Sequence, residues 1–405
     1  FVRYILFKWV VLYLQCNYST FKPKQEAKTC WYSVINYSTT QNSNTFDMTK
    51  EKDMLLLQPD HYDWSKLHQT YTWIRTLKDC PQDALYHAEG DVWIHTRMVV
   101  EAFQALDAYP ALPTEARKII YAACLLHDIG KPACTVMEAN GRISSAGHAK
   151  LGEKMAREEL TPLCLPYALQ ENICQLVRYH GLPLWFLEKP NPEKAVVQAS
   201  LRLQTQWLAW VAEADALGRE CEDKADLLTK ISLFRDYCEE LQCWAKPRAF
   251  ASPHTRFLYF HKDEPVYPDS EIFDDCYGDV YLLCGIPGAG KDTWIHNHAG
   301  DMPVVSLDAI RQRMGVSFTD NQGRVIQQAQ EEAKQYLRKK TPFVWNATNI
   351  TRQMRQGLIQ LFFTYKARVT IVYLHCSIEK ALAQNRQREV QIKDCLLYTS
   401  PSPRD

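Results

Sequence analysis

The stretch Gly285-Ile286-Pro287-Gly288-Ala289-Gly290-Lys291-Asp292-Thr293 decides the fold of the C-terminal half. It follows Val280-Tyr281-Leu282-Leu283-Cys284, a short continuous apolar run that reads as a buried strand, and precedes Trp294-Ile295, which opens a helix. Strand, glycine-rich loop and helix in that order are the context of a phosphate-binding loop. Backbone N–H groups of the loop and the helix N-terminus would cradle a β-phosphate, with Lys291 bridging β and γ. Gly285, Gly288, Ala289, Gly290, Lys291, Asp292 and Thr293 are the expected binding residues for ATP, or another NTP, with Mg2+. Asp292 stands where such loops usually carry a Mg-binding Ser or Thr. The ion could be held by Asp292 through water or by Thr293 in a shifted role.

Working outward, Pro303-Val304-Val305-Ser306, Phe343-Val344-Trp345 and Val369 to Leu374 read as three further strands, which predicts an α/β domain with a mainly parallel sheet. Asp308 lies just past the second strand, where such sheets place their ligand sites. It could take the proton of an attacking hydroxyl; the plainer role is to N-cap its helix. Arg311 shares its helix face and suits a substrate phosphate. The helix from Ile378 to Arg388 is expected to be a lid, with Arg386 or Arg388 reaching the ATP phosphates; the plainer reading is a solvated basic helix end.

The N-terminal half is different in kind. From Trp64 to Trp244 the apolar periodicity is helical, with a helix-like stretch from Trp64 to Lys78. Ala116 to Leu126 is an apolar helix, expected to stop at His127-Asp128-Ile129-Gly130-Lys131-Pro132 because of its Gly and Pro. His95, His127, Asp128, His148, His180 and Asp215 supply imidazole and carboxylate, a donor set that suits Mn, Fe, Co, Ni or Zn. Such a metal polarises a phosphoryl oxygen and acidifies water. Adjacent His127 and Asp128 can both ligate only where the backbone turns, and Lys131 would then face a phosphate. His87 with Glu89 stands open between a functional and a structural role, while His61, His68 and His254 read as structural.

Length and composition set limits on these readings. A chain of 405 residues exceeds what one core usually serves. Lys plus Arg and Asp plus Glu are both 47, which excludes a broad nonspecific nucleic-acid surface; contact with a strand would be local and made at its end. The 14 cysteines contain no C-x-x-C pair and read as reduced residues of a cytoplasmic protein rather than a disulfide frame or zinc knuckle. The apolar run Val2 to Leu14 is too short for a membrane span, and no membrane association is expected.

The order His95, His127-Asp128, Asp215 resembles the HD phosphohydrolase superfamily. The segment Tyr86 to Thr96 is similar to the opening of the HD domain attached to bacterial tRNA nucleotidyltransferases. That resemblance implies that His95, His127, Asp128 and Asp215 are metal ligands, and that His148 and His180 stand where binuclear members add theirs. Asp308-x-x-Arg311, Asn346-Ala347-Thr348-Asn349 and the lid arginines resemble the polynucleotide 5′-kinase branch of P-loop phosphotransferases. Together the halves resemble the bacterial HD-Pnk family, over roughly Trp64 to Lys393 and including the connector Phe250 to Phe257.

The family implies an all-α HD domain that removes 2′,3′-cyclic, 2′- or 3′-phosphates, and a kinase that phosphorylates 5′-OH ends. RNA or DNA strand ends and a downstream ligase are the implied partners. The expected division is a non-native or disordered leader at 1–47, the HD domain at 48–245, a connector at 246–277, the kinase at 278–393 and an artefactual tail at 394–405. The leader reads as translated upstream sequence, or second as a weak targeting segment. The tail resembles a translated sequencing adapter, which would leave the kinase half truncated, or second a disordered Pro/Ser tail. Two other functions fit the same motifs: a nucleotide phosphohydrolase fused to a nucleoside or metabolite kinase, and a sensor that only binds.

Overall fold

The computed structural model describes residues 55–317, 320–376 and 378–387, together with two short strands, Leu12–Tyr13 and Ile35–Ser38. Apart from those strands, the expected leader and tail lie outside the described residues. The chain divides into two compact units, one of Ser43–Ala249 and one of Phe250–Asp405 with Phe1–Asn42.

The first unit is helical, and Thr114–Leu126 is its central helix. Ala116 and every residue from Ile119 to Leu126 are buried, so this helix is apolar all round and needs neighbours on every side. Val92–Ala105, Tyr167–Tyr179 and Thr205–Leu217 supply them. Each large side chain buried there contributes about 1.5–3 kcal/mol. His127 is the first residue beyond this helix. The core therefore delivers His127 and Asp128 to the interior, 1% and 2% exposed.

Two details depart from the sequence expectation. The stretch from Trp64 to Lys78 is two helices, Trp64–Thr70 and Thr72–Leu77, because Tyr71 turns extended and buries its ring. The helical unit also carries one small antiparallel ribbon, Val136–Met137 with Ile143–Ser144.

The second unit is α/β. The strand Asp279–Cys284 lies between Arg368–His375 and Phe343–Asn346, and Val304–Ser306 pairs with the far side of Phe343–Asn346; all run parallel. Ile35–Ser38 adds to the outer side of Arg368–His375 and Leu12–Tyr13 to that strand in turn, also parallel. Strand residues alternate between two cores, as the two-residue period demands. Val280, Leu282 and Cys284 join Phe343, Trp345 and the helices Gly323–Arg338 and Arg352–Thr364 on one face. Leu283, Val344 and Val372 meet Ala289 and Trp294 on the other. The connector is more regular than its sequence suggests: Ser252 caps a helix, Pro253–His261, by accepting from the Thr255 N–H.

Candidate metal centre and phosphate loop

In the helical unit, four imidazoles and two carboxylates converge. His95 sits in the first turn of Val92–Ala105, and His127 and Asp128 follow Thr114–Leu126. His148 opens the helix His148–Leu160, His180 follows Tyr167–Tyr179, and Asp215 lies in Thr205–Leu217. His95 Nε2 is 3.1 Å from Asp215 Oδ1 and 3.9 Å from Asp128 Oδ2. His127 Nε2 is 3.1 Å from Asp128 Oδ2, and His148 Nε2 is 3.4 Å from Asp128 Oδ1. The structure thus gathers all six residues expected from sequence around Asp128.

Three of the imidazoles are oriented by one device. His127 Nδ1–H donates to Cys124 O (2.7 Å), His148 Nδ1–H to Ser145 O (2.8 Å) and His180 Nδ1–H to Val177 O (2.8 Å). Each acceptor carbonyl lies three residues earlier in the chain. A ring that commits its Nδ1 proton this way presents a bare Nε2 lone pair. Those lone pairs point at one another: His148 Nε2 and His180 Nε2 are 3.2 Å apart. Two bare lone pairs facing so closely repel unless a proton or a metal ion lies between them.

The carboxylates make the same demand. Both oxygens of Asp128 and Nε2 of His127 are buried and make no hydrogen bond of good geometry, although a buried polar atom is normally bonded. Burial pushes the Asp128 carboxyl up, but the charges of His127 and Lys131 outweigh it and hold the group well below the usual range. Asp215 is likewise held low against its burial, by Arg219 and His95. Burial, and then the His148 and His127 charges, pull His180 down to about 3, so it is neutral and able to ligate. His95, His127 and Asp128 form one group with ligand atoms within 4.8 Å, and Asp128, His148 and His180 another. The donor chemistry fits one or two divalent ions.

Other residues support this centre. Lys131 Nζ lies 2.7 Å from Asp128 Oδ2 and donates to Gln82 Oε1 at 2.7 Å. Arg219 grips Asp215 with two bonds, Nε to Oδ1 at 2.9 Å and a terminal nitrogen to Oδ2 at 2.6 Å. Gly130 was expected to stop a helix, yet its φ of −81° is ordinary helical backbone. Its role is close approach: a Cβ there would lie 2.3 Å from His148 O and 2.8 Å from Gly152 N.

The sequence reading missed Arg219, which was detectable as an i,i+4 partner of Asp215. It left Glu89 open beside His87, since the contacts that decide its role are tertiary. A further group, His254, Asp274 and Cys276, brings metal-ligating atoms together, but Arg368 stands 4.0 Å from Asp274 and opposes a cation there.

In the α/β unit the loop arches from Gly285 to Gly290 into the helix Lys291–His298. Gly288 has φ +77°, and a Cβ there would strike Ala381 O at 2.6 Å. The helix Ile378–Arg386 therefore packs its backbone against the loop. Lys291 Nζ donates to the carbonyls of Gly285 (3.0 Å) and Ile286 (2.9 Å), spanning the loop it closes. Asp292 is exposed and accepts from Asn346 Nδ2 at 2.9 Å, which ties the loop to the end of the neighbouring strand. Thr293 is exposed one residue on.

Ser306, not Asp308, caps the helix Leu307–Met314 by accepting from the Ala309 N–H. Asp308 is 62% exposed and pairs with Arg311 at 2.5 Å, while Arg311 Nε donates to Gln322 Oε1 at 2.8 Å. Asn349 is buried at φ +45° and donates to Leu283 O at 2.7 Å, bracing the loop from below. Arg386 is exposed at the end of its helix, and Arg388 lies outside the described residues.

Each unit resembles known proteins. Residues 92–205 match the HD domain family and residues 280–395 the AAA domain family. The curated CC-adding tRNA nucleotidyltransferase of Thermus thermophilus is 33% identical over 153 residues, 34% of this chain and 32% of that protein. The chain spans about a third or less of the length of the curated relatives it matches. Among solved structures, a Pnkp1/Rnl/Hen1 complex is 18% identical with a TM-score of 0.25, over 29% of this chain and 42% of that one. A gluconokinase from Sinorhizobium meliloti 1021 is 18% identical with a TM-score of 0.24, over 31% and 74%. The chain carries an HD phosphohydrolase domain with a His/Asp metal cluster, followed by a P-loop kinase-like domain. No helix among the described residues is long and apolar enough to cross a membrane.

Proposed function

We propose that this protein heals broken nucleic-acid ends. Its HD half removes 2′,3′-cyclic, 2′- or 3′-phosphates, and its P-loop half transfers a phosphate from ATP to a 5′-hydroxyl. The observation that carries this reading is an acid–arginine pair, Asp308–Arg311, on an exposed helix directly beyond a strand of the phosphate-loop sheet. An acceptor hydroxyl and an adjacent backbone phosphate need that combination, and the exposure leaves room for a polymer. A curated relative named for tRNA supports a nucleic-acid substrate for the HD half.

At the HD centre, His95, His127, Asp128 and Asp215 would hold a divalent transition metal, with His148 and His180 available to a second, and the ion would supply Lewis acidity and an activated water. His148 is the most exposed of the four imidazoles, its side chain 24% open, so substrate reaches the centre from its side. Lys131, already beside Asp128, would neutralise charge growing on the phosphoryl oxygens.

In the kinase half, Lys291 would exchange its loop carbonyls for the β- and γ-phosphates, and Asp292 and Thr293 would face Mg2+. Asp308 would exchange Arg311 for the acceptor hydroxyl and take its proton, while Arg311 engages the neighbouring phosphate. Arg386 and Arg388 would close over the nucleotide. Both products are ends that a ligase joins.

Balanced charge favours a second reading, a nucleotide phosphohydrolase fused to a metabolite kinase. The discriminating assay supplies ATP with a 5′-OH oligonucleotide, a 2′,3′-cyclic-phosphate RNA and a panel of nucleosides, with and without added Mn2+ or Ni2+. Oligonucleotide phosphorylation and metal-dependent end dephosphorylation are expected. Preference for nucleosides and free nucleotides in both reactions would sink the end-healing reading.

A further inference from the structure

We infer that Glu89 is the positioning residue that makes His95 a metal ligand; this rests on the HD metal centre described above. His95 lacks the backbone acceptor that orients its three companions. His127, His148 and His180 each fix their ring through a carbonyl three residues earlier, because each lies at a helix end. His95 lies inside the Val92–Ala105 helix, with its own N–H bonded to Asp91 O. Backbone carbonyls within a helix are committed to the ladder, so its ring needs another acceptor.

Glu89 supplies it. Its carboxylate is 1% exposed, and Oε1 lies 2.8 Å from His95 Nδ1 and 2.8 Å from His87 Nδ1. The contact to His87 is a well-formed hydrogen bond, whereas that to His95 is off the line of the N–H. Oε2 accepts from the Glu220 backbone N–H at 2.8 Å, which anchors the carboxylate to the segment just beyond Asp215. His95 Nε2 now meets Asp215 Oδ1 at 3.1 Å; with the Nδ1 proton drawn to Glu89, that Nε2 would face a metal bare, among Asp128 and Asp215. A carboxylate behind an imidazole also raises its basicity as a ligand, which a neutral carbonyl does less strongly. The sharing of Oε1 with His87 gives that residue a part: its N–H holds the carboxylate from the far side.

The test is metal binding by the full-length protein, titrated with Mn2+, Ni2+ or Co2+ after chelation, for wild type, Glu89→Gln, Glu89→Ala and His95→Ala. Kinase activity and circular dichroism serve as fold checks. Glu89→Gln keeps the shape, can still accept from a ring N–H and loses only the charge. The expected result is a roughly 10- to 100-fold loss of affinity in Glu89→Ala, a smaller loss in Glu89→Gln, and a shifted visible spectrum of the Co2+ complex in Glu89→Gln. If both Glu89 variants bind and absorb as wild type while His95→Ala does not bind, the positioning role is wrong and the metal centre stands. If wild type binds no metal, both fall together.

Discussion

The turn that carries His127 and Asp128 works only because Gly130 has no side chain, and Gly130→Ala tests that directly. A Cβ at this position would sit 2.3 Å from His148 O and 2.8 Å from Gly152 N, both backbone atoms that no rotamer change can move. Ordinary contact begins near 3.4 Å, so the start of the His148–Leu160 helix must retreat by about 1 Å. Overpacking of that kind costs about 1–3 kcal/mol. In a unit of some 200 residues this lowers Tm by roughly 2–4 °C per kcal/mol. The effect on activity is larger than that on stability. A displacement of about 1 Å moves His148 away from Asp128 and can cost on the order of 100-fold in rate. Gly152→Ala is the control, since its nearest new neighbour is a Val177 side-chain methyl at 3.3 Å, which can give way. The assay is metal-dependent phosphoesterase activity and metal stoichiometry of the two variants, with kinase activity as an internal standard. Gly130→Ala should lose phosphoesterase activity and keep the kinase, whereas Gly152→Ala should lose little of either. Equal behaviour of the two would refute the close-approach argument.

Four further outcomes follow from the geometry. Lys291→Ala should remove kinase activity by at least about 100-fold and leave the phosphoesterase intact, and His127→Ala should do the reverse; loss of both activities from either change would contradict independent sites. Asp308→Asn should lower kinase kcat by roughly 100-fold or more, and an unchanged kcat would remove Asp308 from the role of base. Asn346→Ala frees Asp292 from its 2.9 Å partner and should weaken Mg-ATP binding by about 10-fold in calorimetry, with little effect if Asp292 takes no part. The last of the four concerns pH. Burial holds His87 down to about 4 in the folded protein, against about 6.5 when unfolded. The unfolded chain then binds more protons between those values, so stability is full above about 6.5 and falls toward 4, by up to about 1.4 kcal/mol per pH unit. The low carboxyl of Glu89 acts only below about 4.5, under this window. His87→Gln should therefore flatten part of the fall in urea midpoint between pH 6.5 and 4.5, measured in EDTA; His180 and His261, also lowered by burial, add to that fall, and His127, raised against its burial by its carboxylate neighbours, opposes it.

How much of this was legible depends on the range of the interaction. The phosphate loop declared itself because its chemistry is local: glycines, a lysine, a strand before and a helix after. His127 and Asp128 were legible because the apolar helix before them stops where it does. The chain did not show that Glu89 answers to Glu220, or that Asn346 reaches Asp292, because those pairs are 131 and 54 residues apart and only the fold joins them. Nor did it show that Tyr71 breaks a helix, since burial of its ring overrides helical propensity. Asp308 has the chemistry of a cap, but Ser306 stands two residues closer to the strand and takes the Ala309 N–H first. Gly130 was read for what glycine does to backbone angles, when its use is what glycine leaves out.

The two sites solve opposite electrostatic problems, and that contrast bears on what each can bind. At the HD centre the charges are buried before any ligand arrives. Asp128, Asp215 and Glu89 are held ionised, and Lys131 and Arg219 oppose them, so three carboxylates face two cations and the centre is one negative charge in excess. Burial should push His127 down, yet the Asp128 and Asp215 charges raise its affinity for a proton instead. The proton is answering the same demand that a divalent ion would meet more completely. With such an ion the excess becomes one positive charge, which is what an anionic phosphoester needs to find there. The phosphate loop carries no such imbalance. Asp292 and Asp308 are exposed, and Lys291 rests on backbone carbonyls. Its binding surface is backbone N–H groups at a helix start, which favour anions without being charged. A divalent ion would complete the HD centre, whereas the loop is settled before any nucleotide arrives.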